Sequence, residues 1–410
     1  MMEDDLADCL AGYGALETTA RRLGIVDARH QRVQGFPHLR TSRFLASFDA
    51  GELSEVAYQR WLMHQNHKAV EGLMLEWKRL PSAIQSRLSE YWPGSRTEVE
   101  VERALGNCGK ALVGRQAELP RLTGVTPEDQ YHSWKRWVGL YPLAALPFYL
   151  GVVSEHGHLQ KKQREFADTG PEKIGQWAHY GRQMPSLSPD EALALLRRQA
   201  LDELGIPLLS HAMEYRLLDA FMPALAVRHG GNGLAANDRP LRLIADASGT
   251  IVRDISQPTI YTHISYGRYQ EEITIQLNYS VWFAERRADQ WLDILAGQFD
   301  GITWRVHLSS SGSVLGYDKM HQCGCWYQFF PAGGFRSQPA LPVTQEPFNI
   351  GKTLDPELQY TLWLESNTHH LLGVQPAGVP QSVQPFNVLP YTRLRALASP
   401  DGHYYSPFNA

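Results

Sequence analysis

Long apolar runs, an excess of one charge and a cysteine framework are what this sequence has least of, and each shortage excludes something. No apolar stretch reaches the ~18 residues that a helix needs to cross a bilayer. The opening residues, MMEDDLADCL, are acidic where a secretory leader is basic. The expected location is therefore the cytoplasm, with no membrane partner. With 39 basic and 43 acidic side chains the formal net charge is -4. That balance offers no clustered positive face for a phosphate backbone, so nucleic acid is not an expected partner. The four cysteines, Cys9, Cys108, Cys323 and Cys325, are too few and too unevenly spaced for a disulfide framework, which fits a reducing compartment. The sequence also lacks an internal repeat and a glycine-rich loop of the Walker or dinucleotide type, so nucleotide cofactors are not indicated.

What remains is a chain of ordinary globular composition, 43% hydrophobic and 20% charged over 410 residues. That length exceeds what one hydrophobic core usually serves, which predicts two domains. Residues 52–80 carry Leu53, Tyr58, Trp61, Leu62, Leu73 and Trp77 near helical spacing, with Ser54 as N-cap and Pro81 as terminator. Further helices are expected at 98–118, 127–140, 143–166, 189–204 and 207–226. The polar, glycine- and asparagine-rich run HGGNGLAANDRP at 229–240 then breaks the pattern and reads as a linker. Beyond it, 241–255, 273–283 and 302–320 show β-prone runs separated by turn signals. The expected class is α+β, with an all-α helical bundle over 1–228 and a strand-rich domain over 241–410.

Three helices of the first half each place histidine and glutamate at ligand spacing. His64, His67 and Glu71 stand at i, i+3 and i+7, Glu155 and His158 at i, i+3, and His211 and Glu214 likewise. A solvated polar face produces such triplets too. Three together resemble the way carboxylate-bridged di-iron bundles present ligands from several helices, and mixed imidazole and carboxylate donors suit iron.

The run FPHLRTSRFLASFDAGELSEVAYQRWLMHQNHKAV at 36–70, with FYLGVVSEHGHL and EYRLLDAFM farther on, resembles the heme-oxygenase-like superfamily, which includes thiaminase II and pyrroloquinoline-quinone synthase. The likeness covers about residues 28–226. Gln65 or Asn66 stands where the thiaminase type has a pocket aspartate, and Ser154 stands near its nucleophilic cysteine, so thiamin hydrolysis is not implied. The resemblance points instead to the di-iron oxidase branch, with Glu71, Glu155, His158, His211 and Glu214 as ligands and His64 and His67 as alternates. Iron and dioxygen would then act on a small-molecule substrate in a pocket between the helices.

In the second half, His321, Cys323 and Cys325 alternate, so an extended strand would project all three from one face. Thiolate and imidazole together suit zinc, ferrous iron or a redox thiol pair. His369, His370 or His263 would supply a fourth ligand. Small buried cysteines packed beside WYQFF are the bland alternative. Residues 240–406 resemble an uncharacterised bacterial protein family with the same His-x-Cys-Gly-Cys motif, whose members continue past Tyr-Ser-Pro-Phe, so this chain is expected to stop early.

The leading expectation is thus an iron-dependent oxidase or oxygenase, with a di-iron centre as the form the resemblance implies. The alternatives are a non-enzymatic metal- or ligand-binding protein built on the His-x-Cys-x-Cys strand, and cofactor-independent catalysis in the helical pocket. Beyond the substrate, the expected partner is a second copy of the chain in a homodimer.

Overall fold

The structure is a computed structural model of the chain, and it describes residues 3–95, 97–125, 156–182, 187–230, 233–269, 271–288, 296–333, 349–378 and 382–408. Helix α1 (Glu3–Arg22) leads into a hairpin of β1 (Gln31–Val33) and β2 (Phe36–Thr41), then α2 (Glu55–Lys78), α3 (Ser82–Leu88) and α4 (Glu98–Ala117). Helical residues 156–169 (α5) precede α6 (Pro171–Ile174), β3 (Gln176–Gly181), α7 (Pro189–Leu196), α8 (His211–Ala220) and β4 (Ala224–His229). The strand-rich stretch runs through β5 (Arg242–Ala245), β6 (Ile251–Asp254), β7 (Thr259–Tyr269), β8 (Glu272–Arg286), β9 (Gly297–Ser309), β10 (Val314–His321), β11 (Gln328–Pro331) and β12 (Asn349–Ile350). It closes with β13 (Tyr360–Leu364), β14 (Leu371–Pro376), β15 (Gln384–Pro385), β16 (Asn387–Pro390), α9 (Thr392–Arg395), β17 (Leu397–Ala398) and β18 (Tyr404–Tyr405).

Local chemistry accounts for the helix starts. Ser54 accepts the Ala57 N–H at 3.2 Å, and Thr97 and Ser188 each close a capping box with the glutamate three residues on. The buried face of α2, including Tyr58, Trp61, Leu62, Leu73 and Trp77, packs against α1 and α4 and under the first hairpin. Each such side chain contributes on the order of 2 kcal/mol by leaving water. Cys9 on α1 and Cys108 on α4 form a disulfide with Cα atoms 5.5 Å apart. The uneven spacing that suggested a reducing compartment did not reveal this pair, because spacing along the chain says nothing about two helices that pack side by side.

The second half holds a seven-stranded sheet, ordered β12-β11-β10-β9-β8-β7-β16, whose centre is an antiparallel meander. A five-stranded sheet, ordered β14-β13-β4-β3-β15, and helices α7 and α8 share one hydrophobic core with it. In that sheet β4 pairs in parallel with β13, Ala224 opposite Thr361 through Val227 opposite Leu364. Segments before and after 229–240 therefore lie in the same sheet, and the chain as a whole is α+β.

Two expected helices are shorter than the sequence suggests. The stretch after Leu196 turns at Asp202, whose carboxylate accepts the N–H groups of Leu204 and Ile206 at 2.9 Å, and Gly205 adopts a φ of 79° that ends any helix. Residues 224–229 follow Pro223 and become β4, because Leu225 and Val227 gain two flanking strands there. Helix α1 and the first hairpin were not assigned from the sequence. The expected helix at 127–140 and most of that at 143–166 lie outside the described residues. No described helix is long and apolar enough to cross a membrane.

Candidate functional site: a buried carboxylate–imidazole chain beside a Cys-Gly-Cys turn

Along β10, Tyr317, Lys319 and His321 alternate toward the core, opposite Val306, Trp304 and Ile302 of β9. The same alternation brings Asp300, two residues before Ile302, to the head of that otherwise apolar row. His321 Nδ1 lies 3.3 Å from Asp300 Oδ1, and His369 Nδ1 lies 2.6 Å from Asp300 Oδ2. On its other side His369 Nε2 is 3.2 Å from Asp238 Oδ1, an ion-pair contact whose angle falls outside a hydrogen bond. The result is a continuous chain, Asp238, His369, Asp300, His321, in which His369 is fully buried.

Four elements hold this chain. Asp238 accepts from Ser366 Oγ and Asn367 N, both at 2.6 Å, and so fixes the turn between β13 and β14. Within that turn Asn367 and His369 adopt φ values of 64° and 50°, a conformation non-glycine residues avoid, which the surrounding bonds impose. The His369 ring stacks on Phe283 of β8, 3.9 Å between centroids and 4° from parallel. The adjacent His370 meets the His321 ring edge at 5.4 Å and Trp326 at 4.5 Å.

Burial and charge set the protonation states. Burial opposes ionisation of Asp300, yet the contacts of His321 and His369 outweigh it and hold the carboxyl far below its ordinary range. Burial likewise disfavours the His369 cation, but Asp238 and Asp300 on either side raise its pKa. His321 is pushed down to about 3 by burial and by neighbouring Lys319. Lys319, 1% exposed, is itself lowered to about 7 by burial, against the pull of Asp300 and Cys323.

The two cysteines sit outside the strand. Strand β10 ends at His321, and a tight turn follows in which Gly324 N donates to His321 O at 2.9 Å and His321 N to Cys325 O at 3.0 Å, with Gly324 at φ 80°. The three side chains of His-x-Cys-x-Cys therefore do not share a strand face as extended geometry predicts; Gly324 permits the chain to reverse instead. Cys323 and Cys325 are both exposed, which also removes the reading of them as buried packing residues. Cys325 N donates to Cys323 Sγ at 3.4 Å, and Cys325 Sγ lies 3.9 Å from Cys323 O. The Cys325 side-chain hydrogen bond, ahead of the opposing effect of burial, lowers the Cys323 thiol to about 6.

The histidines and glutamates of the helical half are placed apart. Glu71 contacts Arg395, with Lys68 Nζ at 3.6 Å and Arg29 Nη1 and His30 Nε2 at 3.9 Å, so its charge is met by protein cations. His64 Nε2 is 2.7 Å from Asp202 Oδ2, and His67 is exposed. His211 and Glu214 contact each other at 3.4 Å at the open start of α8, His211 wholly in solvent. His158 is exposed on α5, and Glu155 lies outside the described residues. Among the described residues no group of three or more His, Cys, Asp or Glu side chains is placed to hold a metal ion. The described members of the di-iron set do not fit a common iron centre, because they face different neighbours. His263 is also remote from the cysteine turn in its contacts, its ring lying 4.8 Å from Tyr391.

Sequence reasoning named His321, Cys323, Cys325, His369 and His370, and passed over Asp238, Asp300 and Lys319. The available signal was positional: Asp300 and Lys319 occupy core-facing places in strands whose other core-facing residues are large and apolar. Compared with protein-family models, curated proteins and solved structures, the chain finds no match.

Proposed function

We propose that the protein is a thiol-dependent oxidoreductase whose working groups are Cys323 and Cys325. The observation that carries this reading is the pairing of two exposed thiols in one turn, with the Cys325 backbone N–H donating to Cys323 Sγ. The Cys323 thiolate attacks one sulfur of a substrate disulfide, forming a mixed disulfide and expelling the other substrate sulfur as a thiolate. Cys325, deprotonated, attacks Cys323 Sγ, releases the second substrate thiol, and leaves Cys323 and Cys325 joined. The substrate gains two electrons and the cysteine pair loses them. The buried chain meets this turn through Asp300, whose charge opposes ionisation of Cys323, and the charge of Cys323 in turn favours the Lys319 cation.

Rapid mixing of the protein, with Cys323 and Cys325 as thiols and the Cys9–Cys108 disulfide intact, with an aromatic disulfide reagent tests this. The wild type should release two equivalents of aromatic thiol and retain no adduct, whereas Cys325→Ser should release one and keep the adduct on Cys323. Stable adducts on both cysteines of the wild type would remove the reading.

A second reading, a soft metal ion held near the same turn, is favoured by one observation. His321 Nε2 and His370 Nε2 are buried without hydrogen-bond partners, and Asp300 orients His321 from behind. Zinc that binds stoichiometrically and blocks the thiol reaction would support it.

A further inference from the structure

At the junction of α2 with the strand-rich half, six cationic side chains, Arg29, Arg32, Arg40, Lys68, Arg79 and Arg395, gather around four carboxylates, Glu17, Asp27, Glu71 and Glu76. The carboxylates are already shared. Glu76 accepts from Arg32, Arg40 and the Asp27 N–H, and Asp27 takes two hydrogen bonds from Arg395 at 2.9 and 2.5 Å. Positive charge is left in excess in a largely buried place. A folded protein tolerates buried charge only where something compensates it.

Hydrogen-bond donors are left over as well. His30 is 8% exposed, and neither of its ring nitrogens has a hydrogen-bond partner, the nearest carboxylate being Glu71 at 3.9 Å from Nε2. His263 Nδ1, Arg40 Nη1 and both terminal nitrogens of Arg79 are also buried without a hydrogen-bond partner, Arg40 Nη1 standing 3.9 Å from Asp27 Oδ2. Burial, reinforced by Lys68 and Arg29 around His30 and by Arg29 first among the charges around His263, holds both imidazoles at about 3. Each is therefore neutral and keeps one N–H to donate. Lys68 and Arg29 are 31% and 24% exposed in their side chains, so the edge of the cluster is open to solvent. Tyr391 walls that edge, with the Arg29 guanidinium 5.5 Å above its ring.

We propose that this seam, bounded by Arg29, His30, Lys68, His263 and Arg395, is a binding site for the oxyanion group, carboxylate or phosphate, of a small ligand. The anion supplies the missing negative charge and accepts the N–H groups of His30 and His263. Glu71, which contacts Arg395, Lys68 and Arg29, holds these cations in place. The site shares no residue with the cysteine turn, and its fate is independent of the thiol chemistry.

Calorimetric titration of the full chain with inorganic phosphate, and separately with acetate, at low ionic strength decides the matter. One of the two anions should bind saturably at a single site and raise the thermal midpoint. Its affinity should fall at least ~10-fold in Lys68→Met and recover in Lys68→Arg, a change of about 1.4 kcal/mol. Arg29→Gln, made separately, decides the question if Lys68→Met does not fold. The anion that binds names the ligand's head group. Absence of saturable binding by both anions, or affinity unchanged in the folded variants, overturns the site.

Discussion

His369 Nδ1 lies 2.6 Å from Asp300 Oδ2, and this one contact fastens the turn between β13 and β14, in one sheet, to the start of β9 in the other. The residues are 69 positions apart in sequence. Because His369 is completely buried and a carboxylate on either side favours its cation, the contact belongs to a buried network rather than to a surface ion pair. It therefore serves as a sensitive probe of how the two sheets are joined.

His369→Leu leaves Asp238 and Asp300 facing an apolar side chain. Breaking a buried pair in this way destabilises by roughly 3–5 kcal/mol. Asp300→Asn should also destabilise, and the double variant should cost less than the two singles together, with a coupling of about 1 kcal/mol or more. Urea unfolding of the four proteins measures this, and strict additivity is the result that contradicts the network.

The thiol at Cys323 should titrate well below a free cysteine. Alkylation by iodoacetamide, followed against pH, should show a midpoint near pH 6 that Cys323→Ser abolishes. Cys325→Ala should shift the midpoint upward, since the side-chain hydrogen bond from Cys325 is the main cause of the depression. An unaltered midpoint in that variant would show that the field of the buried chain, not the neighbouring thiol, sets the acidity.

Acid should unfold the protein early. His30, His263 and His321 are held at about 3 and His38 at about 4, each principally by burial. Folded pKa values below the unfolded value of ~6.5 mean that the unfolded chain binds protons first as pH falls. These groups therefore lose no stability above ~6.5, and they lose it progressively between that value and 3–4, at about 1.4 kcal/mol per histidine per pH unit. Stability measured at pH 7 and pH 5 should differ by several kcal/mol in favour of pH 7; equal values would contradict the assigned burial.

Gly72 on α2 has no room for a side chain. A Cβ there would stand 2.0 Å from Arg40 Nη1 and 2.9 Å from Arg40 Cζ. Gly72→Ala would ordinarily strengthen a helix by up to ~1 kcal/mol. Here it should instead destabilise by roughly 1–3 kcal/mol, by pushing Arg40 from Glu76. A rise in the thermal midpoint of that variant is the outcome that would count against the packing of Arg40 on α2.

Local rules carried the sequence reading where neighbours along the chain decide the outcome. The Ser54 cap and apolar stripe announced α2, and the turn at Ser248-Gly249, the latter at φ 85°, announced the β5–β6 hairpin. They failed at Ala224–Ala226, where the end of an expected helix became the start of a strand because β3 and β13 wait on either side. They also paired histidines with glutamates by spacing, whereas Glu71 is met by Arg395, 324 residues away.

The amino-acid order by itself determined composition class, the α+β mixture, several caps and turns, and the presence of a His-x-Cys-Gly-Cys segment with two histidines to come. Only the tertiary structure decided that Cys9 meets Cys108, that Gly324 turns the cysteines out of the strand, and that Asp300 and Asp238 bracket His369. The reason is physical: caps and turns depend on bonds a few residues long, whereas burial and charge pairing depend on which surfaces close over one another after the chain has folded.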